Sequence, residues 1–260
     1  FDIKTAKEIN KKYGKAHIVT AANVFAHIND APALAKNIAS IMDKDSVFVS
    51  ESQYLLDIVE KLEFDTIYHE HLRFYSIKPL RRLLEGAGMS IIDAERISAA
   101  GGSIRVYAKK GKLPMSDRVK KLISEEEKAG LYNEKVLAEF ARKAQGAKND
   151  LLALLLKLKR EGASIVALTS PARSNPLLNF AKINDTIIDY AGEKAGSPKI
   201  GLYTPGTHIP VVDESKIFKD QPDYTLVLSW HIGEELIKKV KSTGYKGKFI
   251  IPLPVPRIVN

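Results

Sequence analysis

Two α/β units in tandem, each an open sheet covered by helices, are what this 260-residue chain predicts. Three observations predict it. Helix-spaced apolar runs alternate with short β-branched runs through the first hundred or so residues and again from about Gly162. A charged stretch nearly free of strand signals lies between the two alternating regions. The length falls between one large domain and two small ones.

Each element follows in turn. Ile3, Ala6, Ile9 and Tyr13 recur at helical spacing until Gly14 stops the pattern. HIVTAANVF is a buried strand, a helix runs from about Ala31 to Met42, SVFVSES is the next strand and YLLDIVEKL the next helix. IKPLRRLLEGAG has helical periodicity, with Pro79 in its first turn and glycines at its end. SIIDAERI and GSIRVYAK, parted by Gly101 and Gly102, form an antiparallel pair at the edge of the first sheet. LLALLLKLKREG closes the charged region as an apolar helix. ASIVALTSPARSNPLLNFAKI then restarts a strand, loop and helix, DYTLVLSW is a strand, a helix covers Gly233 to about Ser242, and KFIIPLPVP continues the alternation. The expected units are residues 1–112, a helical linker over 113–161, and 162–260.

Composition removes several functions. No stretch approaches the ~20 apolar residues of a membrane helix, and FDIKTAKEINKKYG lacks the apolar core of a signal peptide, so the chain reads as cytoplasmic with no membrane partner. With no cysteine there is no disulfide, thiolate zinc site or cysteine nucleophile. The formal charge is +9, but the lysines alternate with acids, as in KKLISEEEKAG, which describes a solvated helix face and not a nucleic-acid stripe. An anionic small substrate, a nucleotide or diphosphate, suits the surplus.

The stretch FDTIYHEHLRFYS sets Tyr68, His69, Glu70 and His71 side by side. Proton abstraction beside a carbonyl needs a base working near neutrality and a donor for the enolate oxygen, tasks that suit imidazole and phenol. Metal binding would need a further ligand such as His27, and nothing at zinc-ligand spacing supplies it. Asn23, Val24 and His27 lie just past the carboxyl end of a predicted strand, where open α/β sheets bind ligands, and Glu51 and Tyr54 hold the same place on the next strand. In the second half, YTPGTHIPVV offers Thr204, Gly206, Thr207 and His208 either as a phosphate-wrapping loop or as a rigid turn pinned by Pro205 and Pro210. Arg173 and Ser174, in PARSN between a strand and a helix, stand where a dinucleotide fold binds phosphate. Trp230 is a core residue or a base-stacking aromatic. The chain opens on a helix and contains no G-x-G-x-x-G, so its first half reads as the back end of a nucleotide-type fold.

NVFAHIND, FDTIYHEHLRFYSIKPLRRLLEGAGM, GGSIRVY, LYTPGTHIPV, PDYTLVLSW and FIIPLPVPRI, in that order, resemble the S-adenosylmethionine-dependent C-methyltransferases acting on nucleotide-linked 4-keto sugars. The resemblance implies a partial class I methyltransferase (Rossmann-like) sheet followed by a second Rossmann-like α/β domain. It also implies a mechanism: a histidine matching His71 takes the proton from C3, and the enolate attacks the cofactor's methyl group. Tyr68 then serves the enolate oxygen, Glu70 orients the base or a sugar hydroxyl, and His27 is a supporting polar contact. Asn23, Val24 and Glu51 fall on the cofactor side. Tyr54, Arg173 and Ser174 fall on the substrate side, with Thr204, Gly206, Thr207 and His208. The family's cysteine-rich zinc module and glycine-rich cofactor loop are not found in these residues, so this chain by itself is expected to bind S-adenosylmethionine poorly or not at all, and a separate N-terminal half or subunit is a candidate partner. Gln53 replaces a usual proline, Ala22 a common asparagine, and TSPARSNPLL a loop richer in glycine with a lysine. The competing expectation is a non-catalytic nucleotide-sugar binding protein, or one half of a split methyltransferase.

Overall fold

The chain divides between two units, one of residues Phe1–Glu60 with His69–Leu137 and the other of Lys61–Tyr68 with Ala138–Asn260. The computed structural model describes every residue from Phe1 to Asn260.

In the first unit, helix α1 (Ile3–Tyr13) starts where the Asp2 carboxylate accepts the Thr5 N–H and ends at Gly14, whose φ of 75° suits glycine. Strand β1 (Ala16–Ala22) follows, then α2 (Ala31–Ser40), capped by Asp30 on the Ala33 N–H. Next come β2 (Met42–Gln53), α3 (Leu55–Glu60), α4 (Ile77–Glu85), β3 (Met89–Ile97), β4 (Ser103–Lys110) and α5 (Asp117–Lys128). The sheet order is β1-β2-β4-β3, with β1 and β2 parallel and the other two pairings antiparallel. The expected antiparallel pair is present with β3 at one edge, and β1 forms the other. β2 begins earlier than its apolar run suggests. Ser46 Oγ donates to the Ala16 carbonyl and its N–H meets Asp43, which holds the polar MDKD segment alongside β1.

Apolar burial fixes this unit. Ile77, Leu80 and Leu84 form one face of α4 and are buried with Phe25, Phe48 and Ile104, each such side chain contributing about 1.5–3 kcal/mol of transfer energy. Val119 and Leu122 of α5 join the same core. Beneath them the buried Glu126 carboxylate accepts the Tyr54 hydroxyl at 2.9 Å, the Ile77 N–H at 2.7 Å and the Tyr132 hydroxyl, and so supplies the cap that α4 would otherwise lack. This is why α5, assigned from sequence to a linker, belongs to the first unit.

The second unit takes most of α6 (Glu134–Arg160), whose Ala144, Ala147, Leu151, Leu155 and Leu158 make a continuous buried stripe. Then follow β5 (Ile165–Leu168), α7 (Ser174–Ala181), β6 (Ala191–Glu193), β7 (Val211–Asp213), α8 (Ser215–Asp220), β8 (Tyr224–Val227), α9 (Gly233–Ser242), β9 (Lys248–Ile251) and β10 (Arg257–Val259). The sheet order is β10-β9-β8-β5-β6-β7, parallel except for β10. All of β5 is buried, as a central parallel strand covered on both faces must be. The chain leaves β5 toward β6 on one side and returns as β8 on the other, which makes the β5/β8 carboxyl ends this unit's topological switch point. No helix is long and apolar enough to cross a membrane.

Candidate active site

β1 ends with Ala22 opposite Glu51, and Asn23 then turns at φ 53° while its N–H holds the Glu51 carbonyl at 2.8 Å. The half-buried Val24 leads into a 3-10 turn over Phe25–His27, in which the fully buried Phe25 is the anchor and His27 emerges at the carboxyl rim, exposed. A second segment of the same unit comes back to this turn. The Leu72 N–H bonds the Ala26 carbonyl at 2.8 Å, Arg73 Nη2 reaches the Asn29 carbonyl at 3.0 Å, and the Leu55 N–H takes the Tyr75 carbonyl at 2.9 Å. These bonds bring the His71 ring to 4.9 Å from the His27 ring at 63°, with Phe74 edge-on to His71 at 5.8 Å. Two imidazoles 44 positions apart thus share one rim, one of them half-buried beside an aromatic edge. A positioned imidazole can take or give a proton near neutral pH.

The neighbouring candidates divide. Glu70 is exposed and lies 3.9 Å from His69 Nε2. Tyr68 is half-buried and closes the Lys61–Tyr68 segment, which belongs to the second unit. Glu51 receives two bonds from Arg105, at 3.0 and 3.2 Å, in a half-buried ion pair. Tyr54, assigned from sequence to the substrate, is a core residue: it is fully buried, its hydroxyl is on Glu126, and burial together with that carboxylate pushes the phenol above its ordinary range. Sequence reading missed the pair that braces this region, Arg96 on the buried Asp57 at 2.8 and 2.9 Å. Gly102 permits it, since a Cβ there would stand 2.3 Å from Asp57 Cγ. No group of three or more His, Cys, Asp or Glu side chains is placed to hold a metal ion.

At the carboxyl rim of the second sheet the polar groups are spent on one another. The Thr169 and Ser229 hydroxyls bond at 2.7 Å, the Ser170 N–H meets Glu193 at 2.6 Å, and Ser174 Oγ donates to the Pro171 carbonyl at 2.7 Å. Arg173, expected to meet phosphate, points inward. It is 7% exposed, grips Asp65 through two bonds of 2.8 and 2.9 Å, reaches Glu63 at 3.4 Å, and lies over the Trp230 ring at 5.4 Å. Trp230 Nε1 donates to the same Asp65 at 2.7 Å. Burial first, then the charge of Arg173, lowers His231 to about 4, so it is neutral at pH 7.

Thr204, Gly206, Thr207 and His208 are not beside Arg173. Residues 201–211 form a hairpin leading into the amino end of β7, with Gly201 N–H on the Val211 carbonyl and Thr204 N–H on the Ile209 carbonyl. This is the rim opposite the β5/β8 carboxyl ends. The Thr204 hydroxyl serves Thr207 Oγ1 at 2.6 Å and the Ile209 N–H at 2.9 Å, and His208 is exposed at the tip. Gly206 has φ 77° and a Cβ there would meet Asn179 Oδ1 at 2.3 Å. The rigid-turn alternative describes this geometry.

Comparison with known proteins gives the chemistry a family. Residues 1–94 match the family described as a methyltransferase domain, and residues 98–254 the one described as the C-methyltransferase C-terminal domain. The chain is 27% identical over 263 residues to the C-methyltransferase NovU of Streptomyces niveus, an alignment covering 100% of this chain and 62% of NovU. It therefore spans less than two thirds of that relative's length. A crystal structure of magnesium protoporphyrin IX methyltransferase from Synechocystis PCC 6803, with bound SAH, aligns over 37% of this chain and 46% of its own at a TM-score of 0.29 and 17% identity. With the C-terminal family matched across more than half of its residues, the chain belongs to the S-adenosylmethionine-dependent C-methyltransferases.

Proposed function

We propose that the complete protein moves a methyl group from S-adenosylmethionine to C3 of a nucleotide-linked 4-keto sugar, through an enolate formed by His71. The observation that supports this reading is the His27–His71 pair at the carboxyl rim of β1, in a chain of a C-methyltransferase family. A proton on carbon next to a ketone is acidic enough for an imidazole base only when the oxygen that gains charge meets a hydrogen-bond donor. His71 removes the C3 proton, the Tyr68 hydroxyl donates to the C4 oxygen, Glu70 orients the base or a sugar hydroxyl, and His27 gives polar support beside His71. The exposed Asn23 amide and the half-buried Val24 side chain fit the polar and apolar contacts that one side of the cofactor needs, and Glu51 lies at the end of the adjacent strand. When bound, the cofactor supplies an electrophilic methyl carbon. The formal charge of +9 suits a diphosphate-bearing substrate.

The test is exchange at carbon. Full-length protein with a nucleotide-linked 4-keto sugar in D2O is expected to replace the C3 proton by deuterium, followed by NMR, and His71→Asn is expected not to. Methyl transfer without any exchange competence at C3, or no loss in the variant, rejects the enolate route.

A further inference from the structure

The stretch Lys61–Tyr68 interrupts the first unit in sequence yet is built into the second. Leu62 and Phe64 are buried among Leu177, Leu178 and Ala181 of α7, and Phe64 packs edge-on to Phe180 at 5.6 Å. The polar side of the segment is held at one point: Asp65, fully buried, takes both arms of the Arg173 guanidinium and the Trp230 indole N–H. From Asp65 to Tyr68 the backbone is a hydrogen-bonded turn, with Thr66 N–H on the Glu63 carbonyl at 3.1 Å, Ile67 N–H on Phe64 at 3.0 Å and Tyr68 N–H on Thr66 at 3.2 Å. Asp65 is therefore three residues from the phenol assigned above to the C4 oxygen, through a backbone with little slack.

We propose that Arg173 is a positioning residue for Tyr68, acting through Asp65, and not a ligand of the substrate's phosphates. This rests on the role given to Tyr68 under the proposed function. The guanidinium is turned inward: two carboxylates accept from it, the indole covers it, and Arg173 is only 7% exposed. A phosphate site needs donors that point at the ligand, whereas these forked donors are satisfied inside the fold. A bidentate Arg–carboxylate pair has a defined geometry, and the second donor from Trp230 fixes the direction of the Asp65 carboxylate further, which restrains the backbone that carries it. A displacement of the order of 1 Å at a catalytic group costs roughly 10²-fold in rate.

The experiment compares Arg173→Met, Tyr68→Phe and the double variant in the full-length protein. Expected are a fall in kcat on the order of 10²-fold for Arg173→Met with an unchanged KM for the nucleotide sugar, and a double variant no slower than Tyr68→Phe alone. Losses that multiply in the double variant, or a raised KM with kcat intact, overturn the proposal, the second by making Arg173 a phosphate ligand after all. Trp230 is the only tryptophan, so its emission reads the state of this cluster without activity; it is expected to shift in Arg173→Met and to stay put in Tyr68→Phe. Unshifted emission in Arg173→Met also counts against the proposal. Should Arg173→Met not fold, Trp230→Phe removes the indole bond to Asp65 and part of the cover over Arg173 while leaving the Arg173–Asp65 pair, and is expected to repeat the kcat pattern more weakly; a KM effect there overturns it equally. Failure of the underlying reading is separate, because it shows in the wild type as absent C3 exchange.

Discussion

Each unit has a parallel strand pair, β1 and β2 in one, β5 and β8 in the other, yet the polar groups at their carboxyl ends are arranged in opposite ways. The first presents Asn23 and His27 exposed, with His71 half-buried beside His27. The second closes its rim with groups that satisfy each other, Thr169 with Ser229, Ser170 with Glu193, and Arg173 with Asp65, Glu63 and Trp230. Shared topology therefore does not imply shared chemistry: function rests on the groups a fold carries, and these two rims arrange theirs differently. Position at a strand end is a reason to look at a residue. Its hydrogen-bond partners decide what it does.

The comparison can be broken most forcefully at His71. His71→Asn is expected to lower kcat by about 10²–10⁴-fold while the unfolding midpoint stays near wild type, since a half-buried rim imidazole contributes little packing. An unchanged rate in a steady-state assay would remove the first rim from the chemistry. On the closed rim the large effect is on stability. Asp65→Ala leaves Arg173 buried with its best partner gone, and a cost of about 3–5 kcal/mol is expected in denaturant titration. A loss of only a few tenths would mean the second rim is solvated and open like the first.

The asymmetry between rims also explains what could be read from the chain. β1, β3, β4, β5, β8 and β9 are β-branched or apolar runs legible as strands, although β1, expected to be buried, is a largely exposed edge strand, and α9 is legible to its terminal residues. The three-residue strands β6, β7 and β10 have no periodicity to display, and AGE in β6 carries no strand preference. The linker expected over 113–161 dissolved because a charged helix hides which side is buried: Glu126 reads as one more surface acid although it caps α4 from within the core. His27 was legible as a candidate through its strand-end position, and His71 through the YHEH stretch and the family motifs. The inward turn of Arg173 was not, because its partners lie 108 and 110 residues earlier and neither composition nor spacing records them.

His231 gives a pH signature confined to the closed rim. Burial, reinforced by the positive charge of Arg173, lowers it from 6.5 to about 4. The unfolded chain then takes up a proton between these values that the folded chain does not, so the contribution of His231 to stability is flat above about pH 6.5 and falls as pH drops toward 4. Allowing for the partial exposure of the ring, the loss across that window is roughly 2 kcal/mol. Urea midpoints at pH 7, 6, 5 and 4.5 for wild type and His231→Gln check it; the variant's curve is expected to be the flatter. Parallel curves would show that the imidazole is solvated and that this part of the rim is not closed.

The smallest effect belongs to the amino rim of the second unit, where the TPGTHIP hairpin looks in sequence like a phosphate loop. Thr204→Val keeps the volume and removes one hydroxyl, and with it the bonds to Thr207 Oγ1 and the Ile209 N–H. Losing the acceptor for a buried N–H is expected to cost about 1–2 kcal/mol. Because the hairpin stands on the rim opposite the β5/β8 carboxyl ends, and its buried hydroxyls bond within it, KM for the nucleotide sugar is expected to hold under conditions where the variant is folded. A several-fold rise in KM without loss of stability would reverse the assignment: the hairpin would then hold substrate, although its buried hydroxyls bond one another.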